Sequence, residues 1–187
     1  MAFQGHGDRE RTQRFRVAVL PYLDDVYTLA RYLLRNPTDA EDAAQECYLR
    51  AFRHFDTFRG GPIKPWLLAI LRNVCRAEYA RRSAFAGVLA DDVDEAEECT
   101  QGLWDEAQPT PEAQLLRRFD GETVQRLIAQ LPDVFREVIV LREINDLSYR
   151  EIAEVLAAPV GTVMSRLARA RALLREAWIA EEKGSDS

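Results

Sequence analysis

One stretch in the middle of the chain, residues 83–112, limits what the rest can fold into. It contains nine Asp and Glu residues and no Lys or Arg, and two prolines stand near its end, at positions 109 and 111. Like charges at this density repel one another and prolines interrupt helices, so we expect an extended, flexible acidic linker here. A chain of 187 residues interrupted in this way predicts two small domains rather than one large core.

The flanking segments carry a different charge balance. Residues 1–82 hold 14 basic and 10 acidic side chains, a net charge of +4, and residues 113–187 hold 11 and 12, a net charge of −1. The overall charge of −6 is therefore concentrated in the linker and does not argue against nucleic-acid binding by the flanking domains. The chain has no apolar run of about 18 residues and no apolar leader segment, so we expect a cytoplasmic protein without membrane insertion.

The first flanking segment predicts a three-helix domain. Asn36-Pro37 ends the first helix, and Thr38 with Glu41 predicts a capping box at the start of the second. Pro65 suits the first position of a third helix, which we expect to end at Arg81-Arg82. The first helix is predicted from an apolar stripe at helical spacing, Leu20, Leu23, Tyr27, Ala30 and Leu34.

The last flanking segment predicts a helix-turn-helix. Ser148 and Glu151 form a second capping box at the start of a short helix, and a break at residues 157–159 precedes a long helix that ends near Ala180. This long helix has one apolar stripe and four arginines within ten residues. A basic helix alone is often only a solvated face, but the short capped helix and the break favour docking in a DNA major groove. The stripe comprises Val163, Leu167, Ala170 and Leu174.

The fold class predicted from these patterns is all-α, with two helical domains. The domain boundaries that we assign are an N-terminal extension (1–15), a first domain (16–83), the acidic linker (84–112), a second domain (113–180) and a tail (181–187).

Four sequence motifs, two in each predicted domain, indicate a family. In the first domain they are DAEDAAQE at residues 39–46 and PWLLAILRN at residues 65–73. In the second they are LSYREIA at residues 147–153 and PVGTVMSRLARAR at residues 159–171. The set resembles the extracytoplasmic-function (ECF) RNA polymerase sigma factors, group IV of the sigma-70 family, over nearly the whole chain outside the linker.

The resemblance implies a transcription initiation factor without enzymatic activity, metal or cofactor. The first domain is then sigma region 2, which binds the clamp helices of the largest subunit of core RNA polymerase and the melted minus-10 element. The polymerase-binding residues would be Asp42, Gln45, Glu46 and Leu49. The minus-10 residues would be Lys64, Trp66, Arg72, Asn73, Arg76, Arg81 and Arg82.

The second domain would be sigma region 4, which binds the minus-35 element as duplex DNA and also contacts the polymerase flap. The residues implied for the minus-35 element are Thr162, Ser165, Arg166, Arg169 and Arg171. The family further implies a stress- or environment-responsive set of target genes and inhibition by an anti-sigma factor. Met164, Ala168 and Ala157 depart from residues that are frequent in relatives, so the minus-35 sequence preference is not implied.

Several alternatives stay open at this point. The chain is either this promoter-specificity subunit, a helix-turn-helix regulator that binds duplex DNA alone, or a sigma-like decoy that captures an anti-sigma factor. The linker is either a plain tether or a segment that threads the RNA path of the polymerase. Trp66 is interpreted first as a core residue and second as a DNA contact.

The remaining candidate sites have simpler interpretations. The acidic residues of 39–46 have no Glu-x-x-His pattern near them, so we interpret them as a solvated or partner-facing surface rather than a metal site. The cysteines match no zinc spacing and are interpreted as reduced, buried or incidental thiols. They are Cys47, Cys75 and Cys99.

Overall fold

The computed structural model describes the backbone of residues 4–86 and 121–185, and the burial of residues 8–82 and 123–182. These residues form two separate helical units, and the described backbone contains helices and turns but no strand. The all-α prediction is confirmed. Residues 84–86, assigned to the acidic linker, are helical, and the rest of that linker, residues 87–112, lies outside the described residues.

The first unit consists of four helices. They are α1 (Gln4–Val19), α2 (Leu23–Leu34), α3 (Pro37–His54) and α4 (Ile63–Ala86), with short 3-10 turns at Leu20–Tyr22 and Phe55–Thr57. Helices α2, α3 and α4 pack on one another. The face that α3 turns inward is made of small residues, which lets large side chains of α4 such as Leu67 and Leu71 approach closely. These small residues are Ala40, Ala43, Cys47 and Ala51.

The start of α3 differs from the prediction. Pro37 is the first helical residue, and the Asn36 side chain accepts a hydrogen bond of 3.2 Å from the Asp39 backbone N–H. The predicted Thr38–Glu41 capping box is therefore wrong. Proline at the first position of a helix loses no hydrogen bond, because that N–H has no intrahelical partner, so Asn36 becomes the capping residue.

The apolar stripe assigned to the first helix is only partly buried. Leu20, Leu23 and Tyr27 are exposed, whereas Val26 and Leu29 occupy the core. The reason is the 3-10 turn at Leu20–Tyr22, which contains Pro21 and rotates the faces of the helices on either side of it.

Arg11 and Phe15, both assigned to an N-terminal extension, pack on the first unit. Helix α1 begins at Gln4, and Phe15 makes edge-to-face contacts with Phe52 and Phe55 at centroid distances of 5.1 and 5.2 Å. The Arg11 guanidinium donates to the Phe52 carbonyl at 2.8 Å and pairs with Asp56 at 2.7 Å. The polar sequence of α1 conceals this docking, because its partners lie about 40 residues away.

The second unit consists of α5 (Gly121–Gln130), α6 (Asp133–Ile139), α7 (Tyr149–Leu156) and α8 (Val160–Ser185). A π-helical turn, Val140–Ile144, continues α6. The predicted stripe of α8 is confirmed, since all four of its residues are buried against the other helices. The predicted Ser148–Glu151 capping box is also confirmed: the Glu151 backbone N–H donates to Ser148 Oγ at 3.3 Å, and Glu151 Oε2 accepts from the Ser148 N–H at 2.8 Å.

The turn between α7 and α8 depends on Ala157, which has a left-handed backbone conformation with φ +51° and ψ +44°. A Cβ atom makes this conformation unfavourable, and glycine avoids that steric cost. Ala157 is exposed, so its methyl group contributes little packing.

We therefore expect Ala157→Gly to raise the free energy of unfolding of the second unit by about 1 kcal/mol. Ala153→Gly, inside α7, is the matched control and is expected to lower it by a similar amount, because glycine weakens a helix interior. Hydrogen exchange of the α7 and α8 amides measures both changes. Equal destabilisation by the two substitutions would contradict the role given to the turn.

Candidate nucleic-acid interface

The outward face of α8 is the strongest candidate for contact with duplex DNA. Thr162, Ser165, Arg166 and Arg169 lie between the buried stripe positions, and Arg169 is exposed while the other three are half-buried. The Ser165 hydroxyl donates to the Thr162 carbonyl at 3.0 Å. One side of α8 is thus anchored in the core, and the other presents hydroxyl and guanidinium groups of the kind that bind base edges and phosphates.

Arg171 does not belong to this face. It is 8% exposed, and its guanidinium binds the Glu143 carboxylate at 2.7 Å. Burial is the largest single influence and lowers the pKa of Arg171, but its hydrogen bond to Glu143, the charge of Glu143 and its interaction with Tyr149 together outweigh burial, so the net shift is upward. We correct its assignment as a minus-35 contact, because its side chain ties α8 to the π-helical turn.

The loop before α7 is held by a second arginine. The Arg142 guanidinium lies 5.1 Å from the centroid of the Tyr149 ring and donates to the Leu147 carbonyl at 2.8 Å. Together with the Ser148 cap, these contacts fix where α7 begins. Arg142 and Arg171 therefore hold the helix-turn-helix in shape rather than adding to its DNA-facing charge.

The predicted minus-10 residues divide into two groups on α4. Arg72, Asn73 and Arg76 lie away from the buried positions of α4, and Asn73 and Arg76 are exposed. The other group consists of cations paired with carboxylates of the same unit: Lys64 with Asp25 at 2.7 Å, Arg81 with Glu78 at 2.8 Å, and Arg82 with both Glu78 and Asp39.

Trp66 packs on a neighbouring aromatic residue of the same unit. Its ring lies 4.9 Å from the Phe58 ring at an angle of 42°, and the side chain is half-buried. Between these aromatic residues, Gly60 and Gly61 have φ values of +91° and +104°, which other residues adopt only with strain. The packing part of the Trp66 interpretation is consistent with this contact, and its DNA contact stays a prediction.

The predicted polymerase-binding residues share one face of α3. Asp42, Gln45, Glu46 and Leu49 follow helical spacing and lie apart from the buried alanines. Leu49 is 53% exposed, and Glu46 pairs with Arg50 at 2.6 Å.

Sequence reasoning missed Tyr79, which is 52% exposed on α4. Arg72, Arg76 and Tyr79 are spaced i, i+4 and i+7, so the aromatic ring continues the outward basic face. This spacing was readable in the sequence, but a lone tyrosine carries no signal until its exposure is known.

The two described cysteines, Cys47 and Cys75, are buried and form no disulfide. Burial is the main cause that raises the pKa of the Cys47 thiol to about 12, and its Sγ donates to the Leu67 carbonyl at 3.5 Å. The interpretation of Cys47 and Cys75 as reduced, buried thiols agrees with this environment, whereas Cys99 lies outside the described residues. Among the described residues, no group of three or more His, Cys, Asp or Glu side chains could hold a metal ion.

None of the helices in the described part of the chain is long and apolar enough to cross a membrane.

Comparison with known proteins identifies the family. Residues 18–85 match sigma-70 region 2, and residues 115–174 match sigma-70 region 4. The chain is 34% identical over 179 residues to the RNA polymerase sigma-H factor of Pseudomonas aeruginosa, an alignment that covers 90% of each chain. It is 35% identical over 168 residues to the ECF RNA polymerase sigma factor SigW of Bacillus subtilis, with 83% of each chain covered.

A solved structure agrees with these matches. The sigma factor RpoE, crystallised in complex with the anti-sigma factor NepR from Bartonella quintana, has a TM-score of 0.67 and 25% sequence identity. The alignment covers 88% of this chain and 96% of RpoE. The chain therefore belongs to the ECF sigma factors of the sigma-70 family.

Proposed function

We propose that this protein binds core RNA polymerase and directs it to promoters by contacting two DNA elements, without catalysing a reaction itself. The observation that carries the proposal is the division of α8 into a fully buried stripe and a more accessible side with Arg166 and Arg169. A helix anchored in this way is suited to enter the major groove of duplex DNA. We assign this face, with Thr162 and Ser165, to the minus-35 element.

Helix α4 is proposed to bind the melted minus-10 element. Arg72 and Arg76 would contact backbone phosphates, and Asn73 would hydrogen-bond an unstacked base. Tyr79 would stack on a neighbouring base, since aromatic rings beside basic residues are a general platform for single strands. Trp66, Lys64, Arg81 and Arg82 remain proposed contacts: Trp66 and Lys64 are half-buried, and Arg81 and Arg82 are exposed but paired with carboxylates.

Helix α3 is proposed to bind the clamp helices of the largest polymerase subunit through Asp42, Gln45, Glu46 and Leu49, with region 4 contacting the flap. The exposed Leu49 supplies apolar area at the centre of this surface, and the acidic neighbours supply charge selectivity. The RpoE structure, which contains an anti-sigma factor, supports the further proposal that such an inhibitor restrains this chain in the cytoplasm. We propose that its target genes respond to stress or environment.

In vitro transcription tests the proposal directly. Core polymerase, the full chain and genomic fragments are expected to yield specific transcription starts that are lost when the chain is omitted. The chain alone is expected to bind the same duplex promoters weakly. Tight duplex binding without polymerase, together with no specific starts, would favour the stand-alone regulator and overturn the proposal.

A further inference from the structure

The C-terminal part of α4 contains a compact group of charges, which we call the α4 ion-pair cluster and define as Asp39, Glu78, Arg81 and Arg82. Arg81 binds both oxygens of Glu78, with Nε to Oε2 at 3.1 Å and Nη2 to Oε1 at 2.8 Å. Arg82 donates from Nε to Glu78 Oε1 at 3.0 Å and pairs through Nη2 with Asp39 of α3. Two carboxylates thus hold two guanidinium groups.

Both arginines make these contacts through Nε and Nη2. These two groups lie on the same edge of the guanidinium, and that edge can also bind a phosphate through two parallel hydrogen bonds. The cluster contains two positive and two negative charges, so its net charge is zero. A neutral cluster whose arginine edges are already bound offers little attraction to a nucleic-acid backbone, although Arg81 and Arg82 point to solvent.

The ion pairs are also exchangeable. The side chains of Arg81 and Arg82 are 67% and 46% exposed, and exposed ion pairs of this kind contribute little to stability. Hydrogen bonds from Arg81 and Arg82 lower the pKa of Glu78, so it stays ionised and keeps competing at neutral pH. The carboxylate of Asp39 is less accessible, and its Oδ2 is buried without a hydrogen-bond partner among the described residues. Glu78 is therefore the partner that a phosphate replaces first.

We infer that Glu78 competes with the phosphodiester backbone of single-stranded DNA for Arg81 and Arg82, and so weakens binding of nucleic acid by the free chain. Backbone phosphates bind the cluster only by exchange with the Glu78 carboxylate. This inference rests on the proposed function for the choice of DNA as ligand. In this inference Glu78 limits the affinity of the chain for single-stranded DNA and does not contribute to it.

The test measures binding of the full chain to a fluorescent 20-nucleotide oligothymidylate over a range of salt concentrations, without polymerase. Glu78→Gln is expected to bind roughly five times more tightly at low salt, because one to two further phosphates are neutralised by Arg81 and Arg82. The slope of log K against log salt should steepen by about 0.7 for each further phosphate that the chain neutralises. Adding Arg81→Gln and Arg82→Gln to Glu78→Gln should abolish the tighter binding.

Glu41→Gln is the matched control, since it changes the net charge equally at an exposed position of α3 outside the cluster. Circular dichroism confirms that each variant is folded. Identical affinities and slopes for Glu78→Gln and Glu41→Gln would overturn the inference, as would weaker binding by Glu78→Gln or no detectable binding by either. Because the measurement needs neither promoter nor polymerase, its failure is distinct from failure of the transcription test.

Discussion

Arg166→Ala and Arg169→Ala are each expected to reduce initiation at promoters with an intact minus-35 element by about tenfold or more, and the double variant by about 100-fold or more. A well-placed arginine contact to a base contributes about 1–3 kcal/mol of discrimination, so the loss of two contacts that act independently removes about 2–6 kcal/mol. Neither side chain belongs to the buried stripe of α8, so their removal is expected to leave the core intact.

The measurement is in vitro transcription from paired templates with an intact and a scrambled minus-35 element. The unmodified chain is expected to prefer the intact template, and the double variant to use both equally. Arg175→Ala removes one charge from an exposed position further along the same helix and serves as the control with a small expected effect. If the double variant kept its preference for the intact template, the assignment of this face would be wrong.

The parts of the fold that could be predicted depend on contacts within a few residues. The stripe of α8 spans three turns, and its period alone identifies the buried face. The Ser148 cap requires two residues three apart, and the structure contains both of its hydrogen bonds. At the start of α3, two capping residues compete within three positions. Pro37 occupies the first position of the helix, and for this reason Asn36 rather than Thr38 is the capping residue.

The parts that could not be predicted depend on partners far apart in the chain. In the sequence, Arg171 belongs to the same run of arginines as Arg169. Its ion pair with Glu143, 28 residues earlier, makes it a buried structural residue. Lys64 and Arg82 are likewise paired with carboxylates of α2 and α3. Such pairings arise from how helices pack, and charge patterning along the sequence does not contain that information. The basic residues of a DNA-binding domain therefore divide into DNA-facing and structural groups only in the fold.

Glu143→Ala tests the structural role of Arg171 and is expected to lower the free energy of unfolding of the second unit by about 3 kcal/mol. The Arg171 side chain is 9% exposed, so removing its partner leaves a nearly buried charge uncompensated. Glu181→Ala is the control, because its bidentate partner Arg126 is 56% exposed and can regain water. That substitution is expected to cost less than about 1 kcal/mol. Hydrogen exchange of the α8 amides compares the two, and equal losses would contradict the buried role.

A double replacement then separates stability from DNA contact. Glu143→Leu with Arg171→Met exchanges the buried pair for apolar side chains, a change that is often neutral or stabilising. We expect this variant to recover stability to within about 1 kcal/mol of the unmodified chain and to keep its preference for an intact minus-35 element. Recovered stability with lost promoter preference would mean that Arg171 contacts DNA, because only a direct contact would be missing from a correctly folded helix-turn-helix.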